Sequence, residues 1–441
     1  MGDVFPSLLV IALGIVVLYF GQRGLDRRRE ASLLVLAYVA HVLAAFAQVA
    51  IIRGYYQGGD AVTYHRMASL LADLVKAEPG RFLPEVWTLT VHGQPHFPVP
   101  ILGVGTSTGT MFGVTTLIAI PTGSSMYAMC LVFSVLSFAS CRALYQVFRD
   151  RCPPHLHRRV LLTTMALPSV VFWTSGIVKE SVAVAGFGWM VFGLHRMAQR
   201  RWVQGLVTLT PGFVVVALIK GYVVGAFFVA SAVFLYWSRA IGVRGNVRIR
   251  PLYIVLLGGL AIGGVLALGR VFPRYSLDGI VEETAHLQEV GSQVGGGSTY
   301  SLGAGSQSLA AQILLAPVAL LTALFRPLPF EVTGFTAAIN VLETTFLTGW
   351  LVVTLARERW RTLLHRVTSS PLLMFSVTFI VLFGIGVGLA STNLGTLSRY
   401  RAPLMPLFAS LIAILHGWVP AEERATAVAR RPIPVRRRGV P

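Results

Sequence analysis

The sequence has little charge, and acidic residues are especially few. Charged residues make up 12% of its 441 residues, with 18 Asp and Glu against 37 Lys and Arg. Soluble domains carry roughly 25% charged residues, so this chain has about half the charge that a water-facing surface needs. Apolar runs of about 18 residues recur along the chain instead. The composition excludes a soluble multidomain enzyme and predicts an all-α polytopic membrane protein.

Cysteines and known catalytic motifs are also scarce. The three cysteines, Cys130, Cys141 and Cys152, are too few for a disulfide framework, and the first two fall within an apolar run. The motifs of phosphate-binding loops, serine hydrolases and zinc peptidases are absent, which disfavours ATP-driven transport. No internal repeat is evident, which disfavours a transporter built from paired halves.

Apolar runs predict about eleven transmembrane helices, together with interfacial helices. The predicted spans are 4–20, 31–52, 124–148, 160–175, 181–197, 203–219, 222–237, 251–268, 332–356, 371–390 and 404–419. The runs 97–121 and 309–325 are interpreted as interfacial or re-entrant, because counting either one alone would invert every later loop. Residues 1–419 therefore form the predicted membrane domain, with long outer segments at 53–123 and 270–331.

Most basic residues lie in loops that this topology places on one side of the membrane. By the positive-inside rule, the N-terminus is expected outside and the C-terminus in the cytoplasm. The basic tail, 420–441, is predicted to be disordered and attracted to anionic lipid heads. The formal charge of +19 is therefore a topology signal, and the expected partner is the lipid bilayer rather than nucleic acid.

The segment after the second predicted span carries the first candidate residue, Asp60. Gly58 and Gly59 permit a tight turn before it, and apolar residues at helical spacing after it predict an amphipathic helix in the interface plane. Tyr64 and His65 lie on this helix. Asp60 suits a catalytic carboxylate at the membrane surface, and it equally suits a helix N-cap.

Charged residues in short outer turns are further candidates. Pro168 is expected to kink the fourth span, and Lys179 and Glu180 follow in a turn too short to leave the membrane surface. A charged pair there is costly unless it faces a polar cavity, although a lysine also reaches the interface by snorkelling. Lys220, in a similar turn, adds a second cation on the same face.

Arginines near the last spans suit phosphate binding. Guanidinium groups bind phosphate in a bidentate manner and stay charged when partly desolvated, although arginines also anchor helices at interfaces. The cations that we expect to form an outer-face phosphate clamp are Lys179, Lys220, Arg326, Arg399 and Arg401. Glu343, within a predicted span, is an intramembrane carboxylate that needs a partner or a cavity.

Four short motifs together resemble the GT-C glycosyltransferases. They are GGDAVTYHRMASLLAD (58–73), HFPVP (96–100), LPSVVFWTSGIVKES (167–181) and SRYRAPLMP (398–406). In this order they are similar to membrane protein mannosyltransferases and to the aminoarabinose transferases of bacterial lipid A. LFRPLPFE (324–331) and the Lys179–Glu180 pair also resemble uncharacterised membrane proteins of bacterial exopolysaccharide clusters.

The resemblance implies an enzyme that takes a sugar from a polyprenyl phosphate on the outer face of the bacterial cytoplasmic (inner) membrane. Asp60 is then the catalytic base and the clamp cations bind the donor phosphate. Tyr64, His65, Glu180 and Glu343 are then the candidates for the substrate or acceptor region. In that family the aspartate usually follows the first span and has an acidic neighbour; here it follows the second span and precedes Ala61. No cofactor is indicated, and a requirement for a divalent metal stays open.

The expected function is therefore transfer of a sugar to a glycan, lipid or protein acceptor, in surface-polysaccharide or glycolipid assembly. A polymerase or ligase acting on undecaprenyl-pyrophosphate-linked glycans also needs outer-face arginines, so it remains an alternative. A flippase or transporter of lipid-linked glycans ranks lower, because it predicts a polar path through the spans and Glu343 is the clear intramembrane charge.

Overall fold

The protein is described by a computed structural model that covers residues 3–26, 30–56, 58–240, 251–271, 279, 300, 309–331 and 335–417. The predicted tail, 420–441, and most of the outer segment 270–331 lie outside these residues. Within them the regular structure is helical. The helices are α1 Val4–Gly21, α2 Ser32–Ile51, α3 Asp60–Ala77, α4 Pro79–Thr90, α5 Ser107–Thr122, α6 Met126–Arg151, α7 His157–Met165, α8 Pro168–Trp173, α9 Lys179–Ala198, α10 Trp202–Ala240, α11 Pro251–Val271, α12 Leu309–Phe325, α13 Phe335–Arg357, α14 Trp360–Thr368, α15 Pro371–Ala390, α16 Leu394–Tyr400 and α17 Met405–His416.

Six of the described helices are long and apolar enough to cross a bilayer. They are Val4–Gly21, Ser32–Tyr55, Met126–Arg151, Trp202–Ala240, Ala337–Arg357 and Pro371–Ala390. Their number and hydropathy indicate a multi-pass protein in a lipid bilayer. The prediction of about eleven spans is not confirmed, because several predicted spans are shorter or interrupted. The run predicted at 404–419, for example, forms the 12-residue helix α17.

The longest of these helices, α10, reverses direction at Lys220. Lys220 has non-helical dihedral angles, φ −145° and ψ 69°. The rings of Phe213 and Phe228 lie 5.7 Å apart, whereas fifteen residues of straight helix would separate them by about 22 Å. At the two ends, the Arg239 guanidinium lies 5.8 Å from the Trp202 ring. Residues 202–240 therefore form a helical hairpin, which confirms the predicted turn at Lys220.

Glycines bring α9 and the first half of α10 into backbone contact. A Cβ atom on Gly212 would lie 2.5 Å from the carbonyl oxygen of Gly186, and one on Gly205 would lie 2.8 Å from that of Gly193. Small residues facing each other in this way allow close helix packing where lipid surrounds the protein. The contact fixes the hairpin along α9, so that its tip at Lys220 meets the start of α9.

The fourth predicted span is divided into two short helices. α7 ends at Met165 and α8 begins at Pro168, so the expected kink is a complete break. Polar side chains from α2 and α6 bind carbonyls at the end of α8 and just after it: Gln48 donates to the carbonyl of Phe172 at 2.8 Å, and Ser137 donates to that of Thr174 at 3.2 Å. Such bonds are needed because non-helical backbone at membrane depth is otherwise unsatisfied.

Basic loops from distant parts of the chain meet at one end of the helix bundle, here called the basic end. Side chains join them in five contacts: Arg149 to Glu30, His155 to Gly417, His195 to Asp150, Trp237 to Thr368 and Arg366 to Leu415. The predicted topology requires these loops to share one side. At the opposite end lie the start of α3, the hairpin tip and the short helix α16.

Candidate functional site

A cavity of about 480 Å³ lies at the end of the bundle opposite the basic end. This volume is within the range of small-molecule sites. Five elements contribute to its wall: the end of α2, the start of α3, α8, α13 and α16. The lining residues used below are Gln48, Tyr55, Asp60, Trp173, Asn340, Asn393, Thr396 and Arg399. Polar and aromatic groups thus converge on one open cavity, as expected of a binding site.

Asp60 and Arg399 form an ion pair in the cavity wall. Oδ2 of Asp60 lies 3.0 Å from Nη1 of Arg399. Asp60 is the first residue of α3, after Gly59, which serves as the N-cap with φ +92°. The side chain of Asp60 is therefore not needed as the cap and faces Arg399. Arg399 is carried by α16, whose start is fixed by Asn393 Oδ1 accepting from the backbone of Gly395 at 2.7 Å.

Glu180 and Lys220 lie behind Arg399, away from the cavity. Oε2 of Glu180 lies 3.4 Å from Nε of Arg399, and Oε1 accepts a hydrogen bond from Lys220 Nζ at 2.6 Å. Lys220 also lies 4.3 Å from the centre of the Tyr400 ring. Both side chains are almost fully buried. The structure thus brings four predicted residues into one alternating chain of charges, in which Asp60 and Arg399 reach the cavity.

Arg401, two residues beyond Arg399, is directed into the protein. Its side chain is fully buried and donates hydrogen bonds to the main-chain carbonyls of Arg326 at 2.6 Å and Ala323 at 3.3 Å. These carbonyls belong to the end of α12 and the segment after it. Arg401 therefore holds α12 against the last helices rather than facing the cavity.

Lys179 and Arg326 are each held by neighbouring side chains outside the cavity lining. Lys179 donates to Ser107 Oγ at 3.0 Å and to Thr108 Oγ1 at 3.1 Å. Arg326 donates to both carboxylate oxygens of Glu331. Of the five cations predicted to form a phosphate clamp, Arg399 is the one that lines the cavity, and the other four have these structural partners.

The remaining candidates lie around the site at different depths. Tyr64 is buried under Asp60 and packs edge-on against Phe112 at 5.5 Å. His65 turns away, with Nε2 lying 2.9 Å from the Ser124 carbonyl oxygen. Glu343 is buried, and Oε2 accepts from the backbone N–H of Ser169 at 2.8 Å while Oε1 accepts from its hydroxyl at 2.5 Å. Glu343 thus has the partner that an intramembrane carboxylate needs.

Burial and charge have opposing effects on the ionisable groups of this site. Burial lowers the pKa of Arg399, but the carboxylate of Glu180, followed by other neighbours including Asp60, raises the pKa above its ordinary value. Arg399 therefore stays protonated. Burial, with the nearby charges of Asp60 and Glu180, raises the pKa of Tyr64, so its phenol stays neutral. At physiological pH the cavity wall presents one cation beside the Asp60 carboxylate.

Several cavity residues were not identified from the sequence. Gln48 lies in the second predicted span and Asn340 in the predicted run 332–356, and polar residues within spans commonly mark such sites. Asn393 precedes α16, where it is a typical N-cap residue. Trp173 gave no such signal, because a tryptophan at a membrane interface is common. Gln48 and Asn340 could have been identified by asking which polar residues interrupt the apolar runs, and Asn393 by its N-cap signal.

A metal site is not evident in the described part of the chain. Among those residues no group of three or more His, Cys, Asp and Glu side chains could hold a metal ion. Asp60 and Glu180 both approach Arg399 instead.

Comparisons with known proteins do not place this chain in a family. No protein-family model matches it, and no curated protein and no solved structure matches it.

Proposed function

We propose that this protein is a membrane glycosyltransferase that moves a sugar from a polyprenyl-phosphate donor to an acceptor hydroxyl. The observation that carries the proposal is the meeting of the Asp60 carboxylate and the Arg399 guanidinium in the wall of a ligand-sized cavity. A carboxylate suits a general base and a guanidinium suits a phosphate leaving group. The motifs that resemble GT-C enzymes add support, because Asp60 and Arg399 lie in two of them.

In the proposed reaction the acceptor oxygen forms a bond to the anomeric carbon as the bond from that carbon to the phosphate oxygen breaks. Asp60 takes the proton of the acceptor hydroxyl. Arg399 stabilises the negative charge that develops on the departing polyprenyl phosphate. Holding donor and acceptor together in the cavity supplies much of the rate enhancement. Attack from the face opposite the phosphate makes the transfer inverting.

The proposed location is the bacterial cytoplasmic membrane, with the cavity on its outer face. Support comes from the separation of the cavity from the basic end, because basic loops favour the cytoplasmic side. The N-terminus is then outside, the C-terminus is inside, and the substrate arrives on its lipid carrier. Assembly of a surface polysaccharide or glycolipid fits this arrangement.

The test is deletion of the gene, complementation with variants, and analysis of the accumulated lipid-linked sugars. We expect a polyprenyl-monophosphate-linked sugar to accumulate on deletion. Asp60→Asn and Arg399→Gln should fail to relieve this accumulation, while Asp73→Asn should relieve it. Asp73 is a matched control, because it lies on the same helix in an exposed pair with Lys76.

Two results would contradict the proposal in different ways. Full activity of a folded Asp60→Asn protein would remove Asp60 from the role of base. Accumulation of pyrophosphate-linked repeat units would favour the polymerase or ligase, since that enzyme consumes a different donor and needs arginines more than a base. Variant proteins are compared at equal abundance in the membrane, so that a failure to insert is distinguished from a loss of catalytic activity.

A further inference from the structure

Arg399 is shared between two carboxylates that differ in burial. The side chain of Asp60 is 52% exposed, whereas that of Glu180 is 1% exposed, and Arg399 itself is 22% exposed. Asp60 approaches Arg399 from the cavity and Glu180 approaches from behind. The two ion pairs therefore have different surroundings although they share one guanidinium.

The two partners of Arg399 also differ in how easily they are replaced. When the Asp60–Arg399 pair separates, water in the open cavity solvates the Asp60 carboxylate and Glu180 still neutralises Arg399. The pair therefore contributes little free energy, about 1 kcal/mol, as partly exposed ion pairs do. A buried carboxylate that loses its cationic partner stays in a medium that does not solvate it, so separating the two charges is costly. Glu180 is in addition fixed by the hydrogen bond from Lys220. Glu180 thus holds Arg399 in place, and Asp60 is the partner that can leave.

We propose that the phosphate of the lipid carrier takes the place of the Asp60 carboxylate on Arg399, so that donor binding releases the base. This inference rests on the proposed function, because it takes Arg399 as the phosphate contact. A phosphate oxygen on Arg399 occupies the position that Asp60 Oδ2 holds in the unliganded protein. Until the donor binds, Asp60 is held by its ion pair and is not free to accept a proton.

The charges of the site favour replacement of the Asp60 carboxylate by the phosphate over binding of the phosphate beside it. Asp60, Arg399, Glu180 and Lys220 carry no net charge together, so a phosphate added beside Asp60 would place two anions against one accessible cation. Exchange avoids that repulsion. Once released, Asp60 remains in the first turn of α3, where the helix N-terminus favours a negative charge.

The experiment measures binding of undecaprenyl phosphate to the full-length protein in lipid nanodiscs, without any sugar transfer. Wild type is compared with Asp60→Asn, Arg399→Gln and the control Asp73→Asn, and the uncharged undecaprenol serves as the control ligand. Asp60→Asn should bind undecaprenyl phosphate about fivefold more tightly, because the ligand no longer competes with a resident carboxylate. Arg399→Gln should lose the preference for the phosphate over the alcohol, and Asp73→Asn should match wild type.

Unchanged or weaker binding to a folded Asp60→Asn protein would overturn the exchange. Asp60→Ser serves as a second neutral variant, and thermal unfolding verifies that each protein is folded. The binding assay requires no sugar transfer, so a failure of the exchange can be distinguished from a failure of the proposed role of Asp60 as base. If Asp60→Asn binds undecaprenyl phosphate more tightly and still transfers sugar normally, the exchange is supported and Asp60 is rejected as the base. If Asp60→Asn loses sugar transfer but binds undecaprenyl phosphate as wild type does, Asp60 is supported as the base and the exchange is rejected.

Discussion

Lys220 Nζ lies 2.6 Å from Oε1 of Glu180, and both side chains are at least 96% buried. Lys220 occupies the non-helical position at the tip of the α10 hairpin, and Glu180 lies in the first turn of α9. The pair therefore joins the hairpin tip to the start of the neighbouring helix. It does so directly behind Arg399, which makes it a support for the cavity wall.

Removing both members of this pair should cost less than the sum of the two single removals. Lys220→Met leaves Glu180 buried with Arg399 at 3.4 Å as its remaining ion-pair partner, so we expect a loss of about 3–5 kcal/mol in the free energy of unfolding. The double variant Lys220→Met, Glu180→Gln leaves no unpaired buried charge at this point and should lose less than the sum of the single variants. Unfolding in detergent, analysed as a double-mutant cycle, measures the difference.

The exposed pair of Lys76 and Asp73 provides the control for this cycle. Its side chains are 44% and 73% exposed, so Lys76→Met should change stability by less than about 1 kcal/mol. Additive losses at Lys220 and Glu180 would mean that the buried pair is not coupled.

Ser169 should matter for stability through Glu343. Its backbone N–H and its hydroxyl both donate to the Glu343 carboxylate. Ser169→Ala removes the hydroxyl bond and should cost about 1–3 kcal/mol, the usual cost of leaving a buried polar group without its partner. Ser376→Ala is a matched control, because this buried hydroxyl bonds to a carbonyl of its own helix, and its loss should be smaller. Equal shifts in the unfolding temperature would argue against a stabilising bond between Ser169 and Glu343.

Arg401 should behave as an anchor, in contrast to Arg399. Its guanidinium is buried against the carbonyls of Ala323 and Arg326, so Arg401→Met should lower the free energy of unfolding by about 2–3 kcal/mol. At temperatures where this variant is folded, it should retain the preference for undecaprenyl phosphate over undecaprenol that Arg399→Gln loses. Loss of that preference in folded Arg401→Met would instead place Arg401 in the phosphate site.

Glu30, at the basic end, should make stability depend on pH. Burial raises the pKa of Glu30, but hydrogen bonds from His157 and Arg149 outweigh this, and the pKa lies below its ordinary value of 4.5. A lowered folded-state pKa means that the stabilisation is present above pH 4.5 and is lost as the pH falls through the folded-state value. Wild type should therefore unfold at a higher temperature than Glu30→Gln at pH 7, and the difference should shrink below pH 4.5.

A difference that stays constant down to pH 3 would contradict this assignment. Asp26→Asn in the same loop is a suitable comparison, because it changes a nearby carboxylate without removing the contacts that Arg149 and His157 make with Glu30.

The local sequence was a good guide to helices and their interruptions. Apolar runs predicted helices close to Val4–Gly21 and Pro371–Ala390, and charge and proline indicated the turn at Lys220 and the break at Pro168. Such features depend on residues near in sequence. The number of transmembrane helices could not be predicted as well, because hydropathy does not show whether an apolar run continues as one helix.

The phosphate clamp shows the limit of this reasoning. The sequence places Arg399 and Arg401 together in one clamp of outer-face cations. Arg399 lies in α16 and Arg401 is the C-cap residue just after it, still with helical dihedral angles, and two helical steps rotate a side chain by about 200° to the opposite side. One therefore lines the cavity while the other is buried. Helical geometry alone predicts that the two arginines face different sides. It does not predict which of them faces the cavity.

By itself the sequence determined that this is a helical membrane protein with its basic loops grouped, because hydropathy and charge act through the local environment of each segment. Only the tertiary structure decided that Asp60, Glu180, Lys220 and Arg399 meet at one end of the bundle. These residues come from four helices spread over most of the chain. Their contacts depend on the packing of α9 against the α10 hairpin through glycines, and on the break between α7 and α8. That packing is a property of the whole fold, and no single segment encodes it.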